Sequence, residues 1–358
     1  MYLLWDEEPK QYLEDAIDGV KRQSYPKEGI EFLIVYNSHK PEHESQAPYI
    51  TEQLNLHSDQ LPHSTFLPQD SNLGFSAGNN LGMQWAVDHR FDYVFLHNGD
   101  GYLGHTCIEE MVHAMEADDT IGACQSLVLL HPETNLINTA GNSLHYLGLG
   151  YCDQYRVPKQ QVMLPSIKDV GYVSGSAVMM RTDLLQSLGL WDEAYFMYHE
   201  DTDYSLRLRI HGYRTVLIRD AEFFHKYQFS KSIQKYYWME RNRHAILLLY
   251  FKWPTLLLIF PMWLILEIGL LFFSLARGWF PERLRVYHYW LKPSHWTLWL
   301  AKRKQIQKTR TVSDRVLLGQ MVSTVAFQES AVESPILTFM GNPLMWVYGL
   351  LLRMVVWW

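Results

Sequence analysis

Across the first 130 residues the chain alternates between two kinds of segment, and that alternation limits the folds open to it. Phe32-Leu33-Ile34-Val35-Tyr36 is apolar at every position and ends at Asn37-Ser38. Tyr93-Val94-Phe95-Leu96 does the same and ends at His97-Asn98-Gly99-Asp100. Runs without polar alternation fit strands buried on both faces. Between them lie stretches with helical spacing. Lys10–Gln23 sets Leu13, Ile17 and Val20 on one face, and Ala77–Asp88 and Thr106–Ala117 read the same way. Leu3-Leu4 reads as the tail of a first strand and Ala123–Leu130 as a later one. Strand–helix alternation predicts an α/β fold with a mostly parallel sheet covered on both faces. Ligands of such sheets bind beyond the carboxyl ends of the strands, where Asn37 and the Asn98–Asp100 turn fall.

The character of the chain changes near residue 230. Of 13 tryptophans only Trp5, Trp85 and Trp191 precede it, and the other ten lie between Trp238 and Trp358. Tryptophan favours membrane–water interfaces, where its ring is half apolar and its N–H stays wet. Thr255–Leu275 is apolar almost throughout and about long enough to cross a bilayer, but Pro261 and Glu267 interrupt it. An interfacial insertion suits it as well as a full span. Lys302-Arg303-Lys304, Lys308 and Arg310 form a basic cluster suited to an anionic leaflet, and Pro335–Trp358 is a second apolar stretch. These features predict a membrane-associated helical region over 231–358 after an α/β domain over 1–230. Packing of the helices on the globular domain, or on a partner, is the plainer alternative. A net charge of -7 and a pI of about 6.1 give no reason to expect a nucleic-acid partner. Three cysteines without CxxC spacing predict neither a disulfide framework nor a zinc site. Met1–Trp5 is too short an apolar run for a signal peptide.

Four short segments carry residue types able to do chemistry. Tyr195–Arg209 (YFMYHEDTDYSLRLR) places Glu200, Asp201 and Asp203 within four positions. Acids this close repel, and burying them needs a cation, a partner or a function for a raised pKa. The first turn of a helix is the ordinary explanation, since its dipole favours carboxylates. Asn72–Gly82 (NLGFSAGNNLG) is a Gly/Asn turn opening a helix, without the GxGxxG spacing of a dinucleotide site. Asn98-Gly99-Asp100 offers a carboxylate at a strand end, suited to a cation that takes oxygen ligands. Val173–Arg181 begins with small residues that a substrate could approach closely, and His225 follows an apolar strand. Each alone has a structural reading: a packed turn, a simple Asp turn, a tight strand, a core histidine.

Taken in order, these segments resemble a family-2 glycosyltransferase of GT-A fold, most closely the rhamnosyltransferase-like branch. The resemblance runs over about two thirds of the chain, Tyr2 to Arg243, and rests on NLGFSAGNNLG and on GLWDEAYFMYHEDTDYSLRLRIHGYR (Gly189–Arg214). It implies a Rossmann-like catalytic domain, a nucleotide-sugar donor (UDP-, dTDP- or GDP-linked) and a divalent metal, Mg or Mn. By the same resemblance Asp100 is the metal-binding acid of a DxD-like motif whose first position is Asn98, and His225 completes the metal site. Asp201 matches the catalytic base, with Glu200 and Asp203 in support. Asn37, Ser38, Asp70, Asn72, Gly74, Asn79, Asn80, Asn98, Gly99 and Asp100 match donor-binding positions, and Gly175, Ser176 and Trp191 the acceptor side. Two departures stand out. Tyr36 occupies a position where the family usually has an acid, which puts recognition of uracil in doubt, and the first strand is nearly missing, which implies either a truncated start or a shortened edge of the sheet.

These residue types suit sugar transfer. A metal stabilises the departing diphosphate without proton transfer. One carboxylate can take the proton of the attacking hydroxyl, giving direct displacement with inversion. The expected activity is an inverting, metal-dependent glycosyltransferase on the cytoplasmic face of the cell membrane, acting on a glycan or lipid-linked acceptor in cell-surface polysaccharide synthesis. A catalytically inactive relative that binds nucleotide or glycan, or scaffolds a membrane assembly, is the alternative. A nucleotidyltransferase would call for a basic, glycine-rich N-terminal loop, which residues 1–20 do not offer.

Overall fold

The computed structural model describes residues 1–5, 7–37, 44–227, 236–326 and 335–358. The chain forms two compact units. One comprises Met1–Asn142, Cys152–Leu208 and Tyr213–Tyr227, the other Ser143–Tyr151, Arg209–Gly212 and Gln228–Trp358.

Up to residue 225 the chain forms β1 (Tyr2–Leu4), α1 (Lys10–Lys21), β2 (Glu31–Tyr36), α2 (Ala47–Leu56), β3 (His63–Pro68), α3 (Phe75–Asp88), β4 (Tyr93–Asn98), β5 (Gly101–Leu103), α4 (Cys107–Ala117), β6 (Ile121–Leu130), β7 (Ile137–Thr139), β8 (Asn142–Leu144), β9 (Gly150–Cys152), β10 (Ile167–Asp169), β11 (Ala177–Arg181), α5 (Thr182–Leu188), α6 (Glu200–Ile210) and β12 (Arg214–His225). β8 and β9 pair with each other and fall mostly in the second unit; the other elements build the first. The main sheet has the order β10-β12-β6-β11-β4-β1-β2-β3, with β5 paired to β12 and β7 to β6. β1 runs parallel to both β2 and β4, β2 to β3, and β12 to β6. β11 is antiparallel to both β4 and β6, so the sheet is mixed where the alternation predicted parallel pairing. β1 is short yet internal, between β2 and β4, rather than a cut-back edge.

The pleat divides the core into two layers. Phe32, Ile34, Phe95 and Met179 face α1 and α4, whose Leu13, Ile17, Met111 and Met115 complete one layer. Val94, Leu96, Val178 and Met180 face the other way, onto Met83 of α3, Leu184 of α5 and Leu208 of α6. Every residue of β6 is buried, as expected of a strand covered on both sides. Pairing sets the strand ends side by side: Tyr36 lies opposite Leu4, Asn98 opposite Leu3, and His97 opposite Ala177, the first residue of β11. β5 folds back at once from β4 and pairs Gly101 with His225 at the end of β12.

Apart from the β8–β9 pair the second unit is helical among the described residues: α7 (Tyr236–Tyr250), α8 (Trp253–Arg277), α9 (Phe280–Leu291), α10 (Pro293–Thr309), α11 (Asp314–Gly319) and α12 (Asn342–Val355). Among the described residues α8 is the helix long and apolar enough to cross a membrane. Glu267, the acid that interrupts it, is 5% exposed and joins a closed charge cluster. Arg243 of α7 pairs with it, and Arg283 of α9 lies 3.3 Å from Glu267 and 2.8 Å from Glu240. Burial alone would raise the Glu240 carboxyl, but Arg243 and Arg283 outweigh it and hold the group down at about 2. Two acids and two guanidiniums meet with mutual hydrogen bonds, which offsets the cost of taking charges out of water.

Candidate active site

The carboxyl ends of β4 and β12 bring Asn98, Asp100 and His225 together. His225 Nε2 lies 2.8 Å from Asp100 Oδ1, and Asn98 Nδ2 donates to the same oxygen at 2.6 Å. Behind the ring, His225 Nδ1 lies 2.9 Å from Asn138 Oδ1. In the tautomer that donates Nδ1–H to Asn138, Nε2 faces the Asp100 carboxylate as an acceptor, and a cation between the two would satisfy both. One carboxylate, one imidazole nitrogen and a neighbouring amide form a donor set that fits Mn2+ or Mg2+. Among the described residues no group of three or more His, Cys, Asp or Glu side chains converges. Gly99 is needed for packing: a Cβ there would lie 2.8 Å from the Leu3 carbonyl oxygen.

The acid cluster opens α6, so the helix-start reading of Glu200, Asp201 and Asp203 holds, yet the three sit in different surroundings. Asp201 is partly exposed. Its Oδ2 accepts from the Gly175 N–H at 3.0 Å, and its Oδ1 from the Thr202 N–H at 2.7 Å. Burial raises its pKa, and these hydrogen bonds oppose the shift. Glu200 is 3% exposed. Asp203 is 2% exposed, accepts from Tyr195 Oη at 3.1 Å and pairs with Arg207 one turn on. Arg207 Nη1 also donates to the carbonyls of Leu188, Gly189 and Leu190, which ties the Gly189–Trp191 loop to α6. Phe196, Tyr198 and His199 all have positive φ (63°, 65° and 70°) just before Glu200. Strained non-glycine backbone of this kind concentrates at functional loops.

Three backbone contacts stitch these parts together. The Asn98 N–H donates to the Ser176 carbonyl at 2.9 Å, one residue beyond the Gly175 N–H that holds Asp201. The Phe196 carbonyl accepts from the N–H groups of Phe75 and Ser76, capping α3. Gly74 makes this approach possible: its φ is +89°, and a Cβ would lie 2.6 Å from the Phe196 ring. Asn80 grips Trp191 through both backbone groups, at 2.8 Å and 3.1 Å. Trp191 is 2% exposed and packs against Phe75 and Gly175.

Comparison with known proteins identifies the family. The family model described as "Glycosyl transferase family group 2" matches residues 93–358. The chain belongs to that family. This glycosyltransferase is 28% identical over 190 residues to N-acetylglucosaminyl-diphospho-decaprenol L-rhamnosyltransferase of Mycobacterium tuberculosis, covering 46% of this chain and 60% of the relative's own length. It is 23% identical over 184 residues to the low-salt glycan biosynthesis hexosyltransferase Agl10 of Haloferax volcanii, covering 50% of this chain and 53% of that one. Among solved structures, GalNAc-T7 with UDP, GalNAc and Mn2+ superposes with a TM-score of 0.52 at 14% identity, covering 63% of this chain and 43% of that chain. The glycosyltransferase fold is therefore GT-A. A non-catalytic role is not favoured.

Other residues singled out in the sequence take varied places in the glycosyltransferase. Asp70 and Asn72 are exposed, and Asn72 Oδ1 accepts from the Gly74 N–H at 2.8 Å. Asn37 is fully buried: its Nδ2 donates to the Gly74 carbonyl at 2.8 Å and its Oδ1 accepts from Leu73 N–H at 3.3 Å. It therefore ties the end of β2 to the Asn72–Gly74 turn. Asn79, 2% exposed, donates to the Phe75 carbonyl inside α3 at 2.9 Å. Ser176 Oγ pairs with Ser174 Oγ at 2.9 Å. Ser38 lies outside the described residues. Tyr36 is 2% exposed and its Oη accepts from the Gln46 N–H at 3.0 Å. Two contributors escaped sequence reasoning, Asn138 behind His225 and the Phe196 carbonyl. Arg207 could have been found, since Asp203 and Arg207 stand at i and i+4 on one helix face.

Proposed function

We propose that this glycosyltransferase transfers a sugar from a nucleoside-diphosphate donor to a hydroxyl of a glycan or lipid-linked acceptor, with inversion and with a divalent metal, at the surface of a membrane. The carrying observation is the juxtaposition of two sites of opposite character. The Asn98, Asp100 and His225 group joins through the Ser176 backbone to Gly175, which holds the Asp201 carboxylate. Asp100 and His225 would hold the metal, with Asn98 beside them; when bound, it supplies positive charge against the departing diphosphate. Asn138 fixes the His225 ring from behind. The Asn72–Asn80 turn and α3 form the donor side, and Asn37 and Asn80 act by positioning it. Asp201 takes the acceptor proton, and its burial-raised pKa brings the carboxylate closer to the working range of a general base. Glu200 and Asp203 hold the first turn of α6 around it, and Gly175, Ser176 and Trp191 shape the acceptor side. With one positioned carboxylate, the hydroxyl attacks opposite the leaving group and the anomeric configuration inverts. The catalytic part corresponds to residues 1–230 and the membrane-associated part to 231–358. A lipid-linked acceptor is supported by the Mycobacterium relative, whose name gives a diphospho-decaprenol acceptor.

Thermal-shift titration with UDP-, dTDP- and GDP-sugars, with and without Mn2+, tests the reading. One nucleotide class should raise Tm by roughly 5–10 °C at saturating donor, and only with the metal. Asp100→Ala should abolish that shift. No shift with any class, or an Asp100→Ala protein that still responds fully, overturns it.

A further inference from the structure

The second unit carries an apolar face that its own packing leaves in water. On α8, Leu257, Phe260, Leu264, Ile268, Phe272 and Leu275 recur at three- and four-residue intervals and are 43–74% exposed. The opposite stripe, including Ile259, Met262, Leu266 and Glu267, is buried. α12 lies beside α8: Tyr348 Oη donates to the Leu258 carbonyl, and Trp358 Nε1 donates to Thr255 Oγ1 at 2.9 Å. It adds half-exposed Leu344, Trp346, Val347 and Leu351, and Trp357 just beyond its end is 74% exposed. Exposed apolar side chains in such number on two touching helices are more than scattered surface hydrophobics and mark an interaction face.

Charge indicates what covers it. Residues 1–235 carry 17 Lys and Arg against 32 Asp and Glu, whereas residues 236–358 carry 14 against 6. The helical part is thus cationic on a chain that is acidic overall. Arg277, Lys292, Lys304 and Lys308 are exposed on it. An apolar stripe with aromatic residues, carried by a helical part of net positive charge, matches the boundary between acyl chains and anionic headgroups. The buried cluster argues against a span. Glu267, near the middle of α8, is joined by Arg243 to α7 and by Arg283 to α9. α9 also carries Arg285, exposed beside Glu282, so carrying this helix group through hydrocarbon would expose charge to lipid.

We infer that α8 and α12 form a platform lying in the plane of an anionic bilayer, dipping one apolar face into it without crossing. This rests on the membrane-surface part of the proposed function and adds the contact face, its orientation and the headgroup charge. The test is flotation of the full chain with vesicles of phosphatidylcholine alone, or mixed with phosphatidylglycerol at about three to one. Binding should be strong only to the anionic vesicles and released by alkaline carbonate. Phe260→Asp with Leu264→Asp should abolish it. Lys304→Gln with Lys308→Gln should weaken it roughly ten- to thirtyfold. All four positions are exposed, and circular dichroism checks that the variants fold. Equal binding to neutral vesicles, retention after carbonate, or a dimer in solution that Phe260→Asp with Leu264→Asp dissolves would each overturn the inference. Donor thermal shifts on the same preparations separate the two claims. Donor binding without vesicle binding sinks the platform alone, and vesicle binding without donor binding sinks the transferase reading alone.

Discussion

Asp201→Asn should remove most of the activity while leaving the fold almost as stable. The side chain keeps its shape, but the amide cannot accept the acceptor's proton. General-base catalysis contributes about 10²–10⁴ in rate, or roughly 3–5 kcal/mol of barrier. For the fold, two effects of opposite sign arise. In the native site the Asp201 carboxyl accepts from Gly175 N–H at 3.0 Å and Thr202 N–H at 2.7 Å. An Asn can offer oxygen to only one of them, and turning its NH2 toward the other costs about 1–3 kcal/mol. Against this, burial raises the Asp201 pKa, so the folded state holds that proton more tightly than the unfolded chain. The resulting stability is present below the ordinary carboxylate range and lost as pH rises through the raised value. Asn does not ionise, so at neutral pH it escapes that loss. The assay is steady-state sugar transfer to a soluble acceptor, run beside thermal melts with and without donor. The acid limb of the wild-type pH–rate profile should lie above the usual carboxylate range. A variant that turns over within about fivefold of wild type would refute the base assignment, because no general-base contribution is that small.

Arg207→Ala should be the most destabilising change near the site. It takes the cation from a buried Asp203 and frees three loop carbonyls, for about 3–5 kcal/mol, or roughly 6–20 °C in Tm. Adding Asp203→Asn should recover part of the loss in a calorimetric melt; a single variant that melts within about 2 °C of wild type would contradict this account. Gly175→Ala places a Cβ 2.9 Å from Trp191 Cη2, against a ring that Asn80 fixes through its backbone. Acceptor KM should rise several-fold while the donor thermal shift stays unchanged; an unaltered KM would remove Gly175 and Trp191 from the acceptor side.

How much the sequence disclosed depended on whether the cause was local. β2, β4 and β6 were legible because each is buried on both faces and reads as an unbroken apolar run. α1 was legible because one stripe carries its buried residues. β3, His63–Pro68, escaped because it is half-exposed at the edge of the sheet and mixes polar with apolar residues. α2 buries only Ile50 and so has almost no period to detect. The direction of β11 could not be read, since a strand buried on both faces shows the same pattern whichever way it runs. The central place of β1 was hidden by its length of three residues. At the candidate site, the family resemblance singled out Asp100, Asp201 and His225 from motifs in the sequence. What holds them could not be read that way, because Asn138 meets His225 across 87 positions and Asn80 meets Trp191 across 111.

The Phe196 carbonyl that caps α3 makes two distant stretches of sequence one mechanical part. The turn read here as the donor side takes its helix start from the same loop that delivers the acids of α6, with Gly74 as the point of contact. Attempts to alter donor choice by grafting a relative's Asn72–Asn80 turn alone would remove one half of a matched joint. Chimaeras that exchange this turn together with Gly189–Glu200 keep both halves, and these are the exchanges from which an active enzyme with a new donor should emerge.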